Sequence, residues 1–258
     1  EKIPLIVPET FPEDLLKDIT IPPKADFAVC SSGTTGTPKI YFRSLQSWQG
    51  FLPEQDKTFG ITPSSRMFIH GSLAFTGNLN MAFEAKLLPC FLYISSTLRA
   101  ETWAQEISEN KIDAIYMIPD KLHHLAKTGK TFPDIRTIIC GSQFISQRQH
   151  DSFSKAFPNA RIFLYYGTSE TSYISCKQLD DPASMDPFCV GKIFDSVKIQ
   201  IDSRDHIRVK SPWLTCGCST EDFFDTRDTG FIKNGMLYLT GRSDDVINIH
   251  GEKIAKSL

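Results

Sequence analysis

The sequence has no long hydrophobic run. Nowhere among its 258 residues do apolar side chains continue unbroken for the roughly 20 positions that a membrane-crossing helix needs. Nor does it open on the short apolar core of a secretory leader. Charge of one sign is not in excess: Lys and Arg number 28 against 30 Asp and Glu, a net charge of -2. No surface dedicated to nucleic acid or to anionic lipid is therefore expected. Fifteen Gly and fifteen Pro lie scattered, which excludes a collagenous or low-complexity chain. The seven cysteines are odd in number and dispersed, and most flank apolar residues, as Cys140 does after Ile138 and Ile139. That suits buried free thiols in a reducing compartment, so the expected setting is a soluble, cytoplasmic protein. Cys216-Gly-Cys218 has neither a second Cys pair nor a His at zinc-binding spacing and reads as two ordinary thiols. His123 and His124 are neighbours on an expected helix and read as part of a solvated face.

What is present is a globular composition, 41% hydrophobic and 22% charged, in a chain long enough to bury a core in one or two domains. Its middle alternates two patterns. Leu88–Ile94, Asp113–Ile118, Arg136–Cys140 and Arg161–Tyr166 read as short apolar strands. Between them, Arg99–Asn110, about Asp120–Lys127 and a segment capped by Ser146 and ending near Phe157 read as helices. Strands and helices in strict alternation predict crossover units and an α/β fold with a mainly parallel sheet flanked by helices. The strands are nearly continuous in apolar residues, as they must be when both sheet faces are covered. From about Asp186 the pattern changes. Val197–Asp202 alternates with period two, Ile207–Lys210 follows a polar turn, and Asn234-Gly235 sits between strand-like flanks, a two-residue hairpin signal. A smaller antiparallel sheet or barrel-like region is expected there. The implied division is 1–185 for the α/β part, 186–242 for the β-rich part, and 243–258 beyond it.

Open parallel sheets bind ligands beyond the carboxyl ends of their strands. Two segments stand at such ends, Gly141-Ser142-Gln143 and Gly167-Thr168-Ser169-Glu170. A third segment is dense in donors: Ser31-Ser32-Gly33-Thr34-Thr35-Gly36-Thr37-Pro38-Lys39 follows the apolar stretch Phe27–Cys30. Its glycines let backbone amides turn toward an anion, its hydroxyls add donors, and Lys39 adds charge. Such a loop can cradle phosphate oxygens; a mobile polar hairpin is the other form this composition takes. It is not a Walker-type loop, since Lys39 is followed by Ile40 and not by Ser or Thr.

Ser31–Lys39 resembles the phosphate-loop signature of the adenylate-forming superfamily, which includes acyl- and aryl-CoA synthetases. Three further segments match in the family's order. Tyr166-Gly-Thr-Ser-Glu170 resembles its Tyr-Gly-x-Thr-Glu motif, with Ser169 for the usual Thr. Thr226-Arg-Asp228 resembles Thr-Gly-Asp, with Arg227 for Gly. Gly241–Ile254 resembles the Gly-Arg-x-Asp-Asp hinge segment. The resemblance implies ATP-dependent activation of a carboxylic acid to an acyl-adenylate, then transfer to the thiol of coenzyme A or of a carrier pantetheine. It implies that Ser32, Gly33, Thr34, Thr35, Gly36, Thr37 and Lys39 bind phosphate, and that Glu170 holds Mg2+. Tyr166, and backbone groups of Gly141, Ser142 and Gln143, would lie against adenine. Tyr165, Gly167, Thr168 and Ser169 complete the nucleotide set, Asp228 would accept from the ribose, and Arg242 would bind ribose or phosphate. Thr35, Lys39, Glu170 and Arg242 would serve catalysis, and Asp244 would be the hinge of the C-terminal lid.

The implied partners are a small carboxylic acid, the nucleotide and, where the thiol acceptor is a carrier pantetheine, an acyl carrier protein. In the segment Phe68–Asn80, where the family places an acyl-pocket gate, Phe75 fits loosely. The resemblance also implies a larger N-terminal subdomain than the 30 residues before Ser31, and a lid whose catalytic lysine neither Lys253 nor Lys256 matches. Two expectations follow. One is a compact or fragmentary ligase that adenylates slowly or with a partner's lid; the other is a truncated nucleotide-binding module without full turnover.

Overall fold

The structure, a computed structural model, describes residues 2–9, 11–17, 19–31, 38–179 and 186–243, and the backbone of 246–249 and 252–255. A hairpin of β1 (Phe27–Ser31) and β2 (Lys39–Arg43) comes first, then the short helices α1 (Leu45–Gln49) and α2 (Leu52–Phe59). The crossover units follow: β3 (Arg66–His70), α3 (Thr76–Leu87), β4 (Phe91–Ser95), α4 (Ala100–Glu109), β5 (Ala114–Tyr116), α5 (Pro119–Ala126), β6 (Thr137–Cys140), α6 (Gln147–Ala156) and β7 (Arg161–Thr168). Then come β8 (Ser172–Gln178), β9 (Cys189–Ile193), β10 (Lys198–Ile201), β11 (His206–Lys210), β12 (Phe224–Lys233) and β13 (Met236–Arg242). A last hairpin pairs β14 (Val246–Ile249) with β15 (Glu252–Ala255).

One eleven-stranded sheet organises the fold, in the order β10-β11-β12-β13-β9-β8-β7-β6-β5-β3-β4. The neighbours from β4 to β7 pair in parallel, as the crossover pattern predicts. From β7 to β10 every pair is antiparallel. Of the two forms expected after Asp186, a smaller antiparallel sheet or a barrel-like region, the strands are antiparallel but continue the same sheet. The passage near residues 175–190 is bridged by pairing of Ser175 with Ile193 and Cys176 with Lys192.

Period-two alternation distributes each parallel strand between two cores. Met67 and Ile69 join Phe59 and Met81 on the α2 and α3 side, while Phe68 joins Trp103, Leu122 and Phe153 on the side of α4, α5 and α6. Strand β6 is buried at all four positions, which is why Thr137–Cys140 reads as a continuous apolar run.

Local chemistry explains several boundaries. Ser146 accepts from the Gln149 amide, and the Gln149 side chain accepts from the Ser146 amide, a complete capping box for α6. Asn234 and Gly235 both take positive φ, 52° and 77°, as the two-residue hairpin between β12 and β13 requires. The expected strand at Leu88–Ile94 begins only at Phe91, because α3 runs to Leu87 with Leu88 as its cap. His123 is half-buried edge-on to Phe153, unlike the exposed His124, which corrects the expectation that both lie on a solvated face. No helix among the described residues is long and apolar enough to cross a membrane.

Candidate active site

The carboxyl ends of β6 and β7 place Gly141–Gln143 and Gly167–Glu170 side by side at one edge of the parallel strands. Successive side chains of β7 diverge, so Tyr165 and Tyr166 enter different surroundings. The Tyr166 hydroxyl donates to Asp228 Oδ2 at 2.6 Å. Asp228 Oδ1 stands 3.4 Å from Arg242 Nη1, and these two residues are cross-strand partners on β12 and β13. A phenol, a carboxylate and a guanidinium from three strands thus meet. Burial, reinforced by the negative charge of Asp228, pushes the Tyr166 hydroxyl well above its ordinary range, so it stays a donor at neutral pH.

Glu170 follows β7 in the turn to β8. Its Oε1 accepts from the Tyr41 hydroxyl at 2.9 Å, and its main-chain carbonyl accepts from the Thr215 amide at 2.8 Å. Burial first, and the charge of Glu170 second, push the Tyr41 hydroxyl up to about 12. The positive charge of Arg242 is felt by both Tyr41 and Tyr166, so the Glu170 and Asp228 clusters share one field. Lys39 opens β2 opposite Ser31, exposed and two residues before Tyr41, hence on the same strand face. Ser31 is close enough to Tyr41 to bear on its hydroxyl. Both ends of the hydroxyl-rich loop therefore stand at this site; Ser32, Gly33, Thr34, Thr35, Gly36 and Thr37 lie outside the described residues, as does Asp244.

Two backbone features account for motif positions. A Cβ on Gly167 would fall 2.1 Å from the Ser172 carbonyl oxygen, so the turn closes only over glycine. Thr168 and Thr171 stitch the same turn, with the Thr171 amide donating to Thr168 Oγ1 at 3.2 Å. Arg227 adopts φ 63°, the left-handed region that favours glycine. The Gly of the Thr-Gly-Asp motif thus has a conformational reason, and this chain places Arg there.

The remaining expected residues divide. Gln143 turns its side chain to α5, donating to Asp120 Oδ2 at 2.8 Å and accepting from the Asp120 amide at 3.1 Å. Ser142 takes φ 70°. Tyr165 packs on Gly141, where a Cβ would meet its ring at 2.3 Å, and its hydroxyl lies 2.7 Å from that of Tyr116. Phe75 is the N-cap of α3 and bridges to Cys30. A cavity of about 100 Å³ beside it is lined by Thr76, Gly77 and Asn80 from the following turns, and Phe75 is not among its lining residues.

Sequence reasoning missed Tyr41 and Arg43. Arg43 is fully buried and donates to the carbonyls of Ser169 and Trp213, fastening the turn that carries Glu170. Desolvation pulls its guanidinium down to about 10, so it remains charged at neutral pH. The signal was the period-two run Lys39-Ile-Tyr-Phe-Arg43, which puts Lys39, Tyr41 and Arg43 on one face.

The donor set suits a magnesium ion bound together with phosphate. Among the described residues no cluster of three or more His, Cys, Asp or Glu could hold a metal by itself. A magnesium site of one carboxylate completed by substrate phosphates needs no such cluster.

A profile of the AMP-binding enzyme family matches residues 13–212. The chain belongs to this family. Two similar curated proteins are a putative long chain fatty acid-CoA ligase VraA of Staphylococcus haemolyticus and an uncharacterized acyl-CoA ligase YhfT of Bacillus subtilis. The first is 27% identical over 87% of this chain and 50% of its own length; the second is 27% identical over 93% and 54%. The chain therefore spans about half the length of the curated relatives it matches. Among solved structures, O-succinylbenzoate coenzyme A synthetase (MenE) of Bacillus subtilis, in complex with ATP and magnesium, aligns with a TM-score of 0.78. It shares 21% identity over 94% of this chain and 57% of its own. The amide bond synthetase McbA of Marinactinospora thermotolerans aligns at 0.77 with 19% identity, over 97% and 54%. These structures share the fold of the AMP-binding enzyme described above.

Proposed function

We propose that this AMP-binding enzyme uses ATP to activate a carboxylic acid to an acyl-adenylate with release of pyrophosphate, and then passes the acyl group to a thiol of coenzyme A or a carrier-protein pantetheine. The observation that carries this reading is the convergence of Tyr166, Asp228, Arg242, Tyr41 and Glu170, from four strands and a turn, at the carboxyl edge of the sheet. Asp228 accepts from Tyr166 and faces Arg242, and a carboxylate with about four acceptor sites is suited to ribose hydroxyls as well. Arg242 is planar and permanently charged, matched to a phosphate or ribose oxygen. Glu170 would hold Mg2+, which when bound neutralises charge on the phosphates; Tyr41 orients that carboxylate by donating to its other face.

The loop 32–37 and Lys39 would hold the β- and γ-phosphates, and Thr35, Lys39, Glu170 and Arg242 would serve catalysis. Tyr165, Gly167, Thr168, Ser169 and the backbone of Gly141–Gln143 would bound the nucleotide. The proposed division is 1–185, 186–242 and 243–258, the last bearing the hinge Asp244, and the cytoplasm is the proposed setting. Chemistry of this kind depends on positioning and charge neutralisation, and the site supplies charges and donors without a nucleophilic side chain.

The test is pyrophosphate release with a panel of carboxylic acids. Acid-dependent release that falls about tenfold or more in Glu170→Gln, with nucleotide affinity weakened in Asp228→Ala, supports the reading. Nucleotide binding without acid-dependent pyrophosphate assigns the chain to a binding module without turnover.

A further inference from the structure

The cavity between α3 and the ends of β7 and β8 adjoins the segment Gly167–Ser169, which links Tyr166 to Glu170, so a group placed in it reaches the proposed phosphate site. It is small. Its volume is about 100 Å³, less than the ~150 Å³ of a cavity known to bind benzene. We propose that this cavity receives the acyl part of the substrate and restricts it to small carboxylic acids of acetate-to-butyrate size, with Tyr165, held by Tyr116 behind it, setting the length limit. This rests on the acid-activation reading above.

The inner wall has no slack. Tyr165 and Tyr116 join hydroxyl to hydroxyl at 2.7 Å, and the Tyr165 ring lies 4.5 Å from that of Tyr173. Each of the first two is wedged against a glycine. A Cβ on Gly77 would sit 2.1 Å from the Tyr116 hydroxyl, and one on Gly141 would sit 2.3 Å from the Tyr165 ring. The two tyrosines thus already fill the space that side chains at 77 and 141 would take.

The floor cannot yield to a hydrocarbon chain either. Asn80 Oδ1 accepts from the Tyr173 hydroxyl at 3.0 Å, and behind it Gln55 Nε2 donates to Glu84 Oε2 at 2.7 Å. Gln55 and Glu84 are fully buried. Methylenes pushed through this network would strand buried donors and acceptors, at about 1–3 kcal/mol for each group left without a partner. The mouth is polar as well, with Thr76 donating to the Cys30 carbonyl at 3.1 Å and toward Ser169 Oγ at 3.3 Å. The long chain in the name of the Staphylococcus relative therefore does not carry over to this cavity.

The experiment is calorimetric binding of hydrolysis-resistant acyl-sulfamoyl adenosines, from acetyl through butyryl and octanoyl to dodecanoyl, with AMP as reference. Acetyl and butyryl analogues are expected to bind at least about tenfold tighter than the dodecanoyl one. Tyr165→Ala, which opens the inner wall, should move the preference about tenfold toward octanoyl, relative to AMP on the same variant. If that variant does not fold, the chain-length series on the unaltered protein decides alone. Dodecanoyl binding as tight as butyryl, with AMP bound, overturns the length limit and leaves acid activation standing. Failure of AMP and of every analogue to bind overturns the activation reading, and the acyl assignment with it.

Discussion

At the scale of single residues, the site is held by groups whose ordinary behaviour is bent by burial. The Tyr41 and Tyr166 hydroxyls are both pushed up by desolvation and by the carboxylate each one meets, so both act as fixed donors. Asp228 is the acceptor on which Tyr166 and Arg242 converge. Asp228→Asn keeps the shape but removes the charge, and should weaken AMP binding about tenfold, read by calorimetry. Unchanged affinity would remove Asp228 from the nucleotide site. Arg227 poses the opposite case, a residue at odds with its backbone. Its φ of 63° costs a residue with a Cβ about 1 kcal/mol, and its carbonyl is fixed by the Ser243 amide at 2.8 Å. Arg227→Gly should raise unfolding stability by up to about 1 kcal/mol in a urea titration, the gain from relieved strain being trimmed by the greater freedom of glycine in the unfolded chain. A loss of stability would mean that the arginine side chain outweighs the strain.

At the scale of elements, legibility followed the strength of local signals. The start of helix α6 could be read because Ser146 and Gln149 cap it reciprocally. Ser146→Ala should cost about 1 kcal/mol, measured by chemical unfolding, with nucleotide binding untouched. The β12–β13 hairpin was legible in Asn234-Gly235, and the parallel strands in their unbroken apolar runs. Helix α3 was not, since its buried positions include Asn80, Met81, Ala82, Glu84 and Ala85. They wrap too much of the helix surface to leave an amphipathic stripe. In the site, motif residues at strand ends were legible because turns such as Gly167 demand particular chemistry. Arg43 and Tyr41 were hidden because a short half-buried strand looks alike whether its side chains support a core or a site. The continuity of the sheet from β7 to β10 was hidden too, since β8 to β9 pairing joins segments that no local pattern connects.

At the scale of the whole molecule, α2, α3 and β8 meet at buried polar groups whose protonation bears on the stability of the entire fold. Gln55 and Asp56 come from α2, Asn80 and Glu84 from α3 and Tyr173 from β8. Glu84 is fully buried, and desolvation, with Asp56 beside it, raises its carboxyl well above the ordinary value of 4.5. The native protein therefore keeps this proton while the unfolded chain releases it near 4.5. Below that pH both states hold the proton and stability does not change on this account. As pH climbs toward the raised native value the unfolded chain binds fewer protons than the native one, so stability falls, by at most about 1.4 kcal/mol per pH unit. Glu84→Gln removes the titration while keeping an oxygen for Gln55 Nε2 and an N–H2 donor toward Asp56. Between about pH 5 and pH 7 the unaltered protein should lose stability relative to the variant, by up to about 2.5 kcal/mol, in urea titrations at the two pH values. Parallel pH dependence in the two proteins would show that Glu84 is ionised in the native core. The network behind the cavity would then carry a charge, in place of the neutral carboxyl its burial calls for.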